Sequence, residues 1–113
     1  MNKLTAPASM TRTTIADMPN VSLPHAGIYV IAYLGHVLYV GKSELSVADR
    51  ISGHMIKPSP LGAWLRRVDD WANVRLDVLE APRGELAQAW LKQAEGALIH
   101  RFEPLFNYAM LTA

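Results

Sequence analysis

The stretch GIYVIAYLGHVLYVGKSE, residues 27–44, is the most apolar part of the chain. Residues 27–34 and 37–43 are rich in valine, isoleucine, leucine and tyrosine, which favour β-strands, and Gly35 interrupts the two runs. The pattern therefore predicts a strand, a tight turn and a second strand. Whether the tyrosines of this hairpin only pack in a core or also take part in chemistry depends on the residues that follow it.

The length and composition of the chain indicate one globular domain. Its 113 residues leave room for a single hydrophobic core, and 50% of them are hydrophobic while 19% are charged. No apolar run approaches the roughly 18–20 residues of a membrane span, and the N-terminal residues lack the apolar region of a signal peptide. We therefore expect a cytoplasmic protein that does not bind a membrane. The chain contains no cysteine, so oxygen or imidazole groups would have to hold any metal.

Charge is distributed unevenly along the chain, although the net charge is only +1. Residues 42–67 contain five cations against two anions, a net charge of +3, and residues 69–103 contain seven anions against four cations, a net charge of −3. A basic end is a modest electrostatic footprint for phosphate groups, and a mixed solvated surface explains it equally well. Arg66 and Arg67 are the best candidates for phosphate contacts outside the residues discussed below.

An N-terminal arm precedes the predicted domain. Residues 1–22 show no sustained periodicity and indicate a flexible arm, poorly ordered or loosely docked, so we place the domain at residues 23–113. After the hairpin, Ser46 is followed three residues later by Asp49, which is typical of a helix start. We expect that helix to end before Pro58.

Three more elements complete the predicted order β-β-α-α-β-α. They are a second helix in residues 60–72, a half-buried strand in residues 74–80 with alternating apolar positions, and the longest helix in residues 84–103. A hairpin alone is marginally stable, so the strand at 74–80 is expected to join it. The sequence thus predicts a small α+β domain, with a three-stranded antiparallel sheet flanked by helices.

Two of the predicted helices carry polar side chains at conspicuous positions. Glu95 occupies the apolar stripe between Leu91 and Leu98, where it could form a structural salt bridge, face solvent at the helix edge, bind a metal or act in catalysis. Arg50 and His54 are four residues apart and share one helix face. That pair is either solvated surface or a catalytic pair.

Taken together, these residues resemble the GIY-YIG nuclease domain. The matching elements, in order, are Gly27-Ile28-Tyr29, Tyr39-Val40-Gly41, Arg50, His54, Glu95 and Asn107. The resemblance covers residues 24–108, and six elements in the right order on the expected strands and helices make a specific match. Val40 stands where the family name has isoleucine, which exchanges one apolar strand residue for another.

The resemblance implies a DNA endonuclease that hydrolyses phosphodiester bonds with one divalent metal ion, Mg²⁺ or Mn²⁺. Glu95 would be the protein ligand of that ion, and Arg50 would hold the phosphate oxygens. Tyr29 would act as general base towards the attacking water and His54 would accept the proton of Tyr29. Tyr39 would position the phosphate or the water, and the choice between Tyr29 and Tyr39 as the base stays open.

Supporting residues are implied as well. Lys42 would add positive charge, Gly41 belongs to the second-strand motif, and Asn107 would organise the site without taking part in the chemistry. Lys42 and Arg50, with Arg66 and Arg67, are the expected DNA contacts. DNA is the expected partner. The choice of DNA target would come from the first 22 residues, from homo-oligomerisation or from a separate targeting partner.

Two other functions compete with the nuclease. One is a non-catalytic module on the same scaffold that binds nucleic acid or serves in an assembly, and the other is a small-molecule enzyme on an unrelated α+β fold. The hairpin register bears on the shared site, because Tyr29 and Tyr39 lie on one sheet face only if paired residue numbers sum to an even value. We predict Tyr33 opposite Val37, with a three-residue loop at 34–36. A two-residue turn without a bulge would separate the tyrosines.

Overall fold

Four strands form one antiparallel sheet at the centre of the structure, a computed structural model that describes residues 10–107. The strands are β1 (Met10–Thr14), β2 (Gly27–Tyr33), β3 (His36–Ser43) and β4 (Val74–Glu80), and their spatial order is β1-β4-β2-β3. The helices are α1 (Val47–Ile56), α2 (Pro60–Arg67) and α3 (Ala87–Phe102). Short 3₁₀ turns lie at Met18–Asn20 and Trp71–Asn73. Strands and helices therefore form the small α+β domain that the sequence predicts.

Each face of the sheet has its own hydrophobic core. On one face, Tyr29 and Ile31 of β2 pack with Val47 and Ile51 of α1 and with residues of α2. On the other face, alternate residues of β2 and β3 pack with Leu91 and other residues of α3. Helices on both faces therefore leave the two edges of the sheet, β1 and β3, as the places where side chains from different layers can meet.

The local signals in the sequence mark the helix ends well. The Ser46 side chain accepts a hydrogen bond from the Asp49 N–H at 3.2 Å and caps α1, as predicted. The alternation in residues 74–80 is confirmed as β4, in which three apolar side chains are fully buried. The second helix ends at Arg67, earlier than predicted, and the indole N–H of Trp71 instead donates to the Leu65 carbonyl at 2.9 Å.

The prediction of three strands is wrong, because β1 adds a fourth strand beside β4. Its residues, Met10–Thr14, fall within the arm that the sequence predicts to be flexible, poorly ordered or loosely docked. Arg12 in β1 forms an ion pair with Asp77 of β4 at 3.0 Å, and Ile15, the next residue after the strand, is 2% exposed. The segment lacks an apolar run that would signal a strand, so its conformation depends on the partner strand. Residues 1–9 of the expected arm lie outside the described residues.

The hairpin brings Tyr29 and Tyr39 to the same face of the sheet. Tyr29 pairs with Gly41 and Ile31 pairs with Tyr39, so paired residue numbers sum to an even value in this part of the ladder. The predicted register is therefore confirmed at the tyrosines. Both tyrosines belong to the core on the α1 side of the sheet.

The turn reaches that register by a different route from the predicted three-residue loop. Tyr33 pairs with His36, so the turn consists of Leu34 and Gly35, both with positive φ (51° and 82°). This two-residue turn alone would place the tyrosines on opposite faces. Leu38 is left without a partner in the ladder and forms a bulge, which shifts the register by one residue.

In the part of the chain that is described, no helix combines the length and the apolar character needed to cross a membrane.

Candidate functional site

Three aromatic rings form the floor of the candidate site. The hydroxyl of Tyr29 and Nε2 of His54 form a hydrogen bond of 2.8 Å, and both side chains are buried, with 0% and 3% exposed. The ring of Tyr39 lies edge-on to the ring of His54, with 4.9 Å between centroids, and 6.0 Å from the ring of Tyr29. The two tyrosine strands and helix α1 thus place a phenol and an imidazole in direct contact inside the protein.

Gly41 lies directly against the Tyr29 ring. A Cβ atom at residue 41 would overlap the outer carbon and the hydroxyl of that ring. Because Tyr29 and Gly41 are paired across the two strands, the ring folds over the backbone of its own partner residue. The second-strand motif therefore ends in glycine for a steric reason, which sequence analysis did not find.

Burial keeps the buried pair uncharged. It raises the pKa of Tyr29 strongly, and the charge of the nearby Arg50 guanidinium lowers that pKa only in part. Burial, together with the smaller effects of the positive charges of Lys57 and Arg50, lowers the pKa of His54 to about 4. At neutral pH a protonated phenol therefore faces a neutral imidazole, which can accept a proton at one ring nitrogen and donate from the other.

The second ring nitrogen of His54 has an unusual environment. Nδ1 is buried and has no hydrogen-bond partner among residues 10–107. A buried polar atom without a partner costs stability, and such atoms are rare in folded proteins. The contact with Tyr29 is therefore the hydrogen bond that holds the imidazole within the described structure.

Glu95 approaches the tyrosines from the other side of the sheet. It lies on α3 and its side chain is half-buried. Burial is the largest cause of the raised pKa of Tyr39, and the negative charge of Glu95 is the second. Burial also raises the pKa of Glu95, whereas the charges of Lys42 and Arg50 lower it. None of the ion pairs formed within residues 10–107 involves Glu95, so the structure gives no support to a structural salt bridge.

The position of β3 at the edge of the sheet explains this meeting of layers. Lys42 pairs with Ile28, whose side chain belongs to the core under α3. The Lys42 side chain therefore leaves the sheet on the face that α3 covers. Arg50 starts from α1 on the opposite side and is exposed. Side chains from both sides can converge only at a free edge. At this edge Lys42 and Arg50 line one groove, and the charges of Arg50 and Glu95 both act on Tyr29 and Tyr39.

Asn107 binds the backbone in the middle of β3. Its side-chain carbonyl accepts from the Val40 N–H at 2.8 Å, and its amide donates to the Val40 carbonyl at 2.8 Å. The side chain thus occupies the hydrogen-bonding groups that a further strand would use. Since Val40 lies between Tyr39 and Gly41, Asn107 fixes the backbone that carries both residues.

Arg66 and Arg67 differ in their surroundings. Arg66 donates from Nη1 to the carbonyls of Met55 and Lys57, at 2.8 Å each, and so binds the C-terminal end of α1. This structural role was not predicted. Arg67 is exposed and forms no ion pair or side-chain hydrogen bond with another described residue, which leaves its guanidinium available to a ligand.

Among residues 10–107, no group of three or more histidine, aspartate or glutamate side chains could hold a metal ion together. Glu95 is the half-buried carboxylate that acts electrostatically on Tyr29 and Tyr39. A metal there would have one protein oxygen ligand and would need water or substrate oxygens for its remaining positions.

Comparison with known proteins finds no matching family model, no matching curated protein and no matching solved structure. The function has to be inferred from the chemistry of these side chains.

Proposed function

We propose that the protein is a metal-dependent DNA endonuclease of the GIY-YIG type, which hydrolyses phosphodiester bonds. The observation that carries the proposal is the buried hydrogen bond between Tyr29 and His54, on which Arg50 and Glu95 both act electrostatically. Burying a phenol, an imidazole and part of a carboxylate is costly for a small domain. Each of these groups has a task in the hydrolysis of a phosphodiester.

The Tyr29–His54 pair moves the proton of the attacking water. The water oxygen forms the new bond to phosphorus as the bond from phosphorus to the leaving oxygen breaks, and the leaving oxygen takes up a proton from solvent. The attacking water gives its proton to the Tyr29 oxygen, while the Tyr29 hydroxyl proton passes to His54 Nε2. His54 starts unprotonated because its pKa is about 4. A phosphate anion bound nearby would raise that pKa and favour the transfer. The Tyr29 side chain is fully buried, so the reacting water has to lie inside the site rather than in bulk solvent.

The two cations of the site bind the phosphate. The Arg50 guanidinium stays charged at every relevant pH, is exposed, and presents a planar set of donors to the non-bridging oxygens. Lys42 adds a second positive charge from β3. Tyr39, whose side chain is 9% exposed and whose ring contacts the ring of His54, would position the phosphate or the water.

The Glu95 carboxylate suits a hard divalent cation. Mg²⁺ commonly keeps several waters and binds through one or two carboxylates together with substrate phosphates, and half-buried Glu95 beside a phosphate position offers such a set. Mg²⁺ or Mn²⁺ bound there would stabilise negative charge on the phosphate and on the leaving oxygen. Glu95 would hold the ion, because α3 carries its carboxylate at this site.

A cleavage assay tests the proposal. Purified protein with Mg²⁺ or Mn²⁺ should nick or cut at least one of single-stranded, duplex or branched DNA. Glu95→Gln and Arg50→Ala should abolish cleavage with little change in Tm, because neither side chain is part of the hydrophobic core. Matched controls are Glu85→Gln and Arg101→Ala, since both side chains are exposed and lie outside the site.

Two results would contradict the nuclease proposal. If the wild-type protein leaves every DNA form intact in both metals, the protein is not an endonuclease of this kind. If it binds DNA without cutting it, the protein is a non-catalytic nucleic-acid-binding module on the same scaffold.

A further inference from the structure

Two grooves meet beside the candidate site, in the loop that joins β3 to α1. The first groove, with a volume of about 420 Å³, contains Lys42 and Arg50 together with the carboxylates of Glu44 and Asp49. The second, with a volume of about 410 Å³, is lined by Ala26, Glu44, Leu45, Ala87, Gln88 and Leu91. Leu45 and Glu44 line both grooves. The Leu45 side chain therefore separates the groove that contains the cations from a mainly apolar groove.

Leu45 points into solvent although its backbone is held in place. Its side chain is 85% exposed. On its C-terminal side, the Ser46 N–H donates to the Ser43 hydroxyl at 3.0 Å, and the Val47 N–H donates to the His25 carbonyl at 3.1 Å. A single exposed leucine is ordinary, but one held on a fixed loop beside two cations is placed to contact what those cations bind.

The two grooves differ in the ligand chemistry that they suit. Both cations lie in the first groove, which suits a phosphate. Among the described residues, no cation lines the second groove, so it lacks a group that would bind a phosphate. Its alanine and leucine side chains suit the flat face of a neutral ring, and the Gln88 amide and the Glu44 carboxylate can bond to the polar edge of a base.

We propose that the second groove binds an unpaired nucleobase next to the phosphate that is cut, with Leu45 as an apolar wedge between that base and its neighbour. The inference rests on the proposed nuclease function and adds its substrate class, DNA with an unpaired base at the cleavage site. Apolar side chains of this size insert between base steps in other protein–DNA complexes. Fully paired DNA binds more weakly, because its base has to leave the stack first.

A binding experiment tests the wedge without relying on cleavage. The Glu95→Gln protein is titrated in Mg²⁺ with a duplex that carries one unpaired 2-aminopurine, and with the same duplex fully paired. Binding of the unpaired form should be about tenfold tighter, and the 2-aminopurine fluorescence should change on binding. Adding Leu45→Ala should reduce that preference to below about twofold, since most of the apolar contact is lost. Gln88→Ala should reduce it in the same direction.

Ile56→Ala in the same background is the matched control. Ile56 is 83% exposed and lies at the opposite end of α1, so its loss should leave the tenfold preference intact. Equal affinity for the two duplexes, or the same loss of preference with Leu45→Ala and Ile56→Ala, would overturn the base-binding proposal while leaving the nuclease intact. No binding to either duplex, together with no cleavage by wild type, would overturn both.

Discussion

Replacing Tyr29 by phenylalanine tests the buried hydrogen bond on which the site depends. The substitution removes one oxygen atom and leaves the ring in its place against Gly41. His54 Nε2 then loses its partner at 2.8 Å, and because Nδ1 has no partner among the described residues, both nitrogens of a 3% exposed imidazole lack one. An unsatisfied buried polar atom costs about 1–3 kcal/mol, so Tyr29→Phe should lower the free energy of unfolding by that amount.

A second substitution separates this hydrogen bond from general packing. His54→Leu alone leaves the buried Tyr29 hydroxyl without its partner and should also destabilise the protein. The double variant removes both polar partners, and its loss of stability should be smaller than the sum of the single losses by about 0.5–3 kcal/mol. Urea unfolding, followed by circular dichroism, measures all four free energies.

The same variants carry the functional test. Loss of general-base catalysis typically costs about 10²–10⁴-fold in rate, so Tyr29→Phe should reduce kcat by that factor with the DNA still bound. Tyr33→Phe is the control, because the Tyr33 hydroxyl bonds to Asp70 in a partly buried position away from His54. Additive stabilities in the cycle, or a kcat for Tyr29→Phe close to that of Tyr33→Phe, would refute the argument for the pair.

Two further predictions concern pH and the arginines of α2. The pKa of His54 is 6.5 in the unfolded chain and about 4 in the folded protein, so the unfolded state binds more protons between these pH values. As the pH falls from 6.5 to 4, the free energy of unfolding of wild type should therefore fall by about 3 kcal/mol relative to that of His54→Leu. Urea unfolding at a series of pH values measures this difference. Arg66→Ala should lower Tm, since it removes two hydrogen bonds to the end of α1. Arg67→Ala should leave Tm unchanged and reduce the salt dependence of DNA binding by about one unit of slope. A loss of Tm for Arg67→Ala alone would contradict the assignment.

Features that depend on neighbours in sequence could be predicted, and features that depend on distant partners could not. The Ser46 cap of α1 and the alternation in β4 are local, and the structure contains both. Strand β1 is stabilised by pairing with β4, more than sixty residues away, and its own sequence gives little signal. The bulge at Leu38 compensates for the short turn, so neither the turn nor the bulge could be inferred without the other.

The same distinction applies to the candidate site. The even register of the two tyrosines follows from the requirement that they share a face, and the sequence predicts it, although the three-residue loop predicted with it is wrong. The contact between Gly41 and the Tyr29 ring, and the bonds from Arg66 to Met55 and Lys57, are set by packing in three dimensions. An arginine that binds helix carbonyls and an arginine available to a phosphate look alike in a sequence.

The free edge of β3 imposes a condition on how the protein can assemble. Residues from α1 and from α3 lie on opposite faces of the sheet, and they converge on the site because no strand within residues 10–107 lies beyond β3. A strand added at this edge would have to displace Asn107 from Val40 and would cover the place where Arg50 and Glu95 act on the tyrosines. The fourth strand adds to the sheet at the opposite edge. If the protein forms dimers through its sheet, pairing through β1 keeps the site open, and pairing through β3 abolishes it.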